Sequence, residues 1–212
     1  MIYISEKNKN EMITMEEAEA ILKMAKRLYP GPLSGVTIEY DEHFALYRDL
    51  VSGERVILIP DVDDYDFNEE EFNRIGKNIL EHVNAVHGYD FDTNTKTKCI
   101  HALCHEIGHA IDFYYQNYLG NENYEDDVEE EYYEFYQSTH RYHAAMNALR
   151  KYMDEHGIEG NEEVIENMKI DIEMIESELD YDYRMITSEK AADVFSAHFM
   201  ATHLRYLRFM FA

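Results

Sequence analysis

The chain predicts an α+β fold in which a small group of strands lies between an N-terminal helix and a series of long helices. Three observations carry this. Segments rich in β-branched and aromatic residues are confined to residues 36–59, apolar residues recur at three- and four-residue steps on either side of them, and only three prolines interrupt 212 residues. With 45% hydrophobic and 13% aromatic residues the chain can bury a sizeable core, so it reads as a single domain over residues 1–212. No long apolar run suited to a membrane and no signal-peptide h-region follow Met1, and the default location is the cytoplasm; a non-classical route of release stays open.

Residues 1–10 are polar and expected to be loose. Thr14 then suits an N-cap, with Glu17 three places on completing a capping box, and the helix runs through Tyr29 to a stop at Pro30-Gly-Pro. Strands are expected at Val36–Tyr40, Phe44–Val51 and Arg55–Ile59, with Ser52-Gly53 as a hairpin turn, making a small antiparallel or mixed sheet. Asn68 and Glu71 read as the cap of the next helix, whose Phe72, Ile75, Ile79, Val83 and Val86 form one face and which Gly88 closes.

A further helix is expected at Thr95–Tyr118, where Ile100, Leu103, Ile107, Ala110, Tyr114 and Tyr118 form an apolar stripe, with Gly120 as its end. The opposite side gathers His101, His105, His109 and Asp112 within about 80° of arc at 100° per residue. Residues 105–109 read His-Glu-Ile-Gly-His. Two histidines four apart on a helix stand one above the other, which is half of a zinc site, and Glu106 between them lies near the metal without binding it, where it could take a proton from water. A histidine-rich solvent face is the plain alternative.

Two histidines and a water leave zinc one protein donor short. The last helix supplies candidates: Thr187 and Ser188 suit an N-cap, and Glu189 and Asp193 follow one turn apart on one face. Glu189 would be the third ligand and Asp193 would hold a ligand imidazole by its free ring N–H. Acids favoured by the positive end of a helix would give the same pair. A Glu189 more than about 8 Å from the imidazoles, against roughly 2 Å for a metal bond, would end the ligand reading.

His-Glu-x-x-His followed by a helix carrying Glu-x-x-x-Asp resembles the gluzincin zinc metallopeptidases. More narrowly, His105-Glu-Ile-Gly-His-Ala-Ile-Asp112 with Tyr183 and Thr187-Ser-Glu189 resembles the anthrax lethal factor group, which includes small Pro-Pro endopeptidases. Glu189, Ala192, Phe195, Ala197 and Met200 are similar to ImmA/IrrE-type peptidases. The two blocks cover about forty residues. They depart from the lethal factor group in the long stretch between them and in Asp193, which is closer to the thermolysin-like pattern.

The resemblance implies a zincin-like fold with a His-Glu-x-x-His helix and a C-terminal ligand helix. It also implies a zinc-dependent endopeptidase with His105, His109 and Glu189 as ligands, Glu106 as general base, Tyr183 as a hydrogen-bond donor to the oxyanion, and Asp193 and Asp112 behind the ligands. Tyr181 is a close rival of Tyr183, and a core aromatic is a third reading of that position.

Other residues fit less well. His101 reads as a surface histidine. His198 faces away from Glu189, and His203 is about 21 Å along the axis at 1.5 Å per residue. His140 and His143 belong to another helix. Cys99 and Cys104 point about 140° apart on one helix and are expected to be free thiols.

Residues 122–182 hold 20 acidic residues against Arg141, Arg150, Lys151 and Lys169, a local charge of −16 within a total of −25. Tyr132, Tyr136, Thr139, Tyr142, Met146, Leu149 and Met153 form one stripe and Ile165, Met168, Ile172, Ile175 and Leu179 another, with Gly157-Ile-Glu-Gly160 between, so an acidic helical hairpin inserted over residues 121–182 is expected. Its charge disfavours nucleic acid and suits a protein or peptide substrate that is cationic near the scissile bond; a lid over the cleft and a charged face that serves solubility alone are the other readings. Two other functions stay open: an acidic nucleic-acid mimic that inhibits by occupying basic grooves, and a scaffold with a closed, inert metal site.

Overall fold

The structure, a computed structural model, describes residues 12–48, 54–61 and 69–210. The expected Ser52-Gly53 turn, the Asn68–Glu71 cap, residues 49–51 of the second predicted strand and the N-terminal ten residues lie outside the described set. The fold is α+β and mostly helical, with one small mixed sheet. Two compact units divide the chain, one made of Met1–Asn121 with Ala191–Ala212 and the other of Glu122–Lys190.

The first unit opens with α1 (Met15–Leu28). Its capping box forms as the side chains dictate: the Thr14 amide donates to Glu17 Oε2 at 2.9 Å and the Glu17 amide to Thr14 Oγ1 at 3.2 Å. Glu17 is also the buried partner of Lys96, whose Nζ lies 2.8 Å from Oε1, so one carboxylate both caps α1 and pins it to a helix 79 positions away. Neither charge would tolerate loss of the other in so dry a place.

Strands β1 (Val36–Asp41), β2 (Ala45–Arg48) and β3 (Arg55–Pro60) form a sheet in the order β1-β3-β2. β1 runs parallel to β3, with Val36 opposite Arg55, and β2 runs antiparallel, with Ala45 opposite Leu58. The Arg55 guanidinium donates to the Pro32 and Ser34 carbonyls at 2.6 Å, which closes the chain leading into β1.

Helix α2 (Glu69–His87) ends at Gly88, whose φ of +69° is the left-handed conformation that glycine adopts without strain. Its buried side differs from the expected one. Leu80 and Val83 are fully buried while Ile75 and Val86 are 40% and 59% exposed. Gly76 sets the rotation, because a Cβ there would lie 3.1–3.2 Å from the Lys98 side chain, so the glycine edge of α2 rests on the next helix.

That helix is α3 (Thr95–Tyr118), capped by Asn94 Oδ1, which accepts from the Thr97 amide at 2.9 Å and from Thr97 Oγ1 at 3.0 Å. Its first seventeen positions are almost all buried, on every side. The expected stripe holds at Ile100, Leu103, Ile107 and Ala110 but fails at Tyr118, which is 77% exposed. The core joins α1, the sheet and α3 to Phe199 and Met200, which lie on α7 (Thr187–Met210). Cutting Leu103 or Ile107 to alanine there would cost about 2–5 kcal/mol.

The second unit contains α4 (Tyr124–Ser138), α5 (His140–His156), α6 (Glu162–Met185) and the first turn of α7. The arm expected to be continuous over residues 132–153 is two helices instead. Ser138 Oγ and Thr139 Oγ1 bond back to the Phe135 and Tyr136 carbonyls at 2.6 and 2.7 Å, competing with the helical ladder where α4 gives way to α5. The turn at Gly157 and Gly160 uses φ of +73° and +82°. α5 and α6 pack on each other around Leu149, Ile165 and Ile172, flanked by Tyr142, Met146, Met153 and Met168. Among the described residues no helix is long and apolar enough to cross a membrane.

Candidate metal centre

His105 and His109 lie one turn apart on α3, with ring centroids 4.6 Å apart and planes nearly perpendicular. Both are buried, and His101, expected at the surface, is buried too at 3% exposure. The solvent-face alternative therefore fails for all three. Amphipathic spacing marks one dry face, but α3 is enclosed on the histidine side as well, because α7 crosses it there.

The crossing depends on Gly108, inside the His-Glu-x-x-His run. A Cβ at Gly108 would stand 2.8 Å from the Ala192 Cα and 3.1 Å from its carbonyl oxygen, so the two helix backbones touch at this point. The contact brings Asp193 Oδ1 to 2.8 Å from His105 Nδ1. An ionised carboxylate can only accept, so His105 donates through Nδ1 and keeps the Nε2 lone pair for another partner. One turn further, Ser196 Oγ donates to the Asp193 carbonyl at 3.0 Å and stands 2.9 Å from His101 Nε2. Its single proton being committed, the hydroxyl accepts from His101 Nε2–H. That bond engages one ring nitrogen of His101 with the protein itself.

Glu189 precedes Asp193 by one turn on α7. Glu189 is 2% exposed. His105, His109 and Glu189 each offer one ligand atom, and these atoms all lie within 4.8 Å of one another. Donors held about 2.0–2.1 Å from a tetrahedral zinc would be roughly 3.4 Å apart, so side-chain adjustments of an ångström or so would close the group on an ion. This buried group could hold a metal ion.

The expected cap of α7 is replaced. Thr187 and Ser188 are already helical, and Glu131 of α4 takes the cap's place, accepting the Thr187 amide at 2.6 Å on Oε2 and its hydroxyl at 2.7 Å on Oε1. The adjacent Tyr132 donates its hydroxyl to Glu189 Oε1. Sequence reading missed Tyr132 as a site residue, having assigned it to the apolar stripe of the hairpin. Its only signal was a hydroxyl on an otherwise apolar face.

Tyr183 stands beside these residues, its ring packed on Phe135 at 5.3 Å and Tyr132 at 6.2 Å. Burial first, then the Glu189 charge, pushes both phenols above the ordinary tyrosine range, so they remain hydroxyl donors. Tyr181, the rival, is 55% exposed. Glu106 is half-buried. Asp112 is half-buried as well and accepts from Gln116 Nε2 at 3.5 Å. His198 is exposed, and His203 packs on Phe199. Cys99 and Cys104 are free and buried, and desolvation pushes Cys99 up to about 12 and Cys104 higher still. No protein-family model, curated protein or solved structure matches the chain.

Proposed function

We propose that the chain is a zinc-dependent endopeptidase of the gluzincin type with a zincin-like fold, in which His105, His109 and Glu189 hold the ion. The single observation that carries this is the buried two-imidazole, one-carboxylate group with Asp193 on the outer nitrogen of His105. Two neutral imidazoles and one carboxylate are a donor set typical of catalytic zinc, which keeps a position open for water. Bound there, zinc would lower the pKa of water to about 7 and polarise the scissile carbonyl.

The protein's own groups do the rest. Glu106 accepts the proton of the attacking water and delivers it to the leaving amine nitrogen, and the hydroxyl of Tyr183 donates to the oxyanion. Asp193 keeps the His105 ring in one tautomer and orientation, and Asp112 is assigned a supporting part behind the ligands. Among the described strands β3 is paired on both sides, which leaves β2, packed against α3, with a free edge for an extended peptide. A total charge of −25 favours substrates that are cationic near the scissile bond.

An acidic nucleic-acid mimic would account for the charge but gives no reason for two buried imidazoles and a buried carboxylate to converge within ligand distance of one another. A peptide-library cleavage screen with wild type and Glu106→Gln separates the two. The peptidase cleaves in the wild type only and stops on chelation; uncleaved libraries in the presence of zinc would overturn the assignment.

A further inference from the structure

We propose that Glu131 and Tyr132 are positioning residues for the metal centre, holding Glu189 so that Tyr132 engages one carboxylate oxygen and the carboxylate meets the ion through a single oxygen. The inference rests on the metal-binding reading of His105, His109 and Glu189. Its separate basis is that two consecutive residues of α4 hold three consecutive residues of α7. Glu131 takes the amide and the hydroxyl of Thr187, and Tyr132 donates to Glu189 Oε1 while standing 3.3 Å from Ser188 Oγ.

The first turn of a helix has no backbone partner for its amides and frays unless a side chain supplies one. A ligand carried on that turn would share its motion, and the two-oxygen grip of Glu131 on Thr187 removes it. Tyr132 acts on the carboxylate itself. A glutamate offers a metal either one oxygen or both, and a hydroxyl bonded to Oε1 favours the single-oxygen mode. That mode leaves the ion with three protein donors and room for water, the arrangement hydrolysis needs. The clamp therefore couples the order of α4 to the coordination number at the centre.

Cobalt(II) is a spectroscopic probe of such a site, since its visible absorption weakens as coordination rises above four. Metal-free wild type, Tyr132→Phe and Glu131→Ala are titrated with cobalt, and the melting temperature of each metal-free protein is recorded. Tyr132→Phe is expected to bind about tenfold more weakly, with a weaker visible band and little change in metal-free melting. Glu131→Ala is expected to bind several-fold more weakly with the wild-type band, because Tyr132 remains. A Tyr132→Phe protein with wild-type affinity and spectrum overturns the proposal, as does wild-type affinity in Glu131→Ala should the tyrosine variant not fold. A wild type that takes up no cobalt marks instead the failure of the metal reading.

Discussion

Gly108 and Ala192 meet backbone to backbone: a Cβ on the glycine would lie 2.8 Å from the alanine Cα, closer than packed carbons approach. The pair stands one residue before His109 on α3 and one before Asp193 on α7. A side chain at 108 would push α7 away and lengthen the Asp193–His105 bond. Gly108→Ala is expected to lower stability by about 1–3 kcal/mol and to weaken metal binding as well. Denaturant unfolding and a metal titration check this, and wild-type values in both would show that α7 does not depend on the close crossing.

Asp193→Asn keeps the shape of the side chain but replaces the carboxylate that accepts from His105 Nδ1. Metal affinity is expected to fall about 10- to 100-fold, as for other partners behind metal-bound histidines. Calorimetric titration of zinc into the metal-free protein reads it. An unchanged affinity would mean that His105 is oriented by packing alone.

Ser196 links the Asp193 carbonyl to His101 at full burial. Ser196→Ala removes that partner from a buried ring nitrogen and is expected to cost about 1–3 kcal/mol. The urea midpoint is the measurement, and no shift would show that His101 is satisfied without the serine.

The thiols set an alkaline limit. In the unfolded chain cysteine titrates near its ordinary value of 9.0, whereas burial pushes Cys99 up to about 12 and Cys104 higher. As pH rises past the unfolded value the unfolded chain loses thiol protons that the folded chain retains, so unfolding becomes easier and stability falls toward the folded value. Denaturation curves at about pH 8 and about pH 10.5 should show this loss, and Cys99→Ala with Cys104→Ala should reduce it. Equal stability at the two pH values in wild type would contradict the buried-thiol account.

Legibility in the sequence followed the range of the interactions. The bounds of α3, Thr95–Tyr118, are the expected ones because an asparagine cap and a terminal glycine act within a few residues, and the Thr14–Glu17 capping box is local in the same way. The α2 face was misread because its rotation depends on Gly76 meeting Lys98, which periodicity does not encode. His101 was taken for a surface residue because an amphipathic stripe shows where one face is dry, not that a second helix will cover the other. Tyr132 and Glu131 were invisible as site residues, since their partners lie 56 and 57 positions away and no short motif joins them. The His105-Glu-Ile-Gly-His109 run was readable because two ligands and their spacing are written in five residues.

Metal analysis of the purified protein, run beside His109→Ala, tests the central claim most directly. One zinc ion per chain in wild type and none in the variant is the expected result. Wild-type protein that folds, is supplied with zinc and still carries no stoichiometric metal would contradict it.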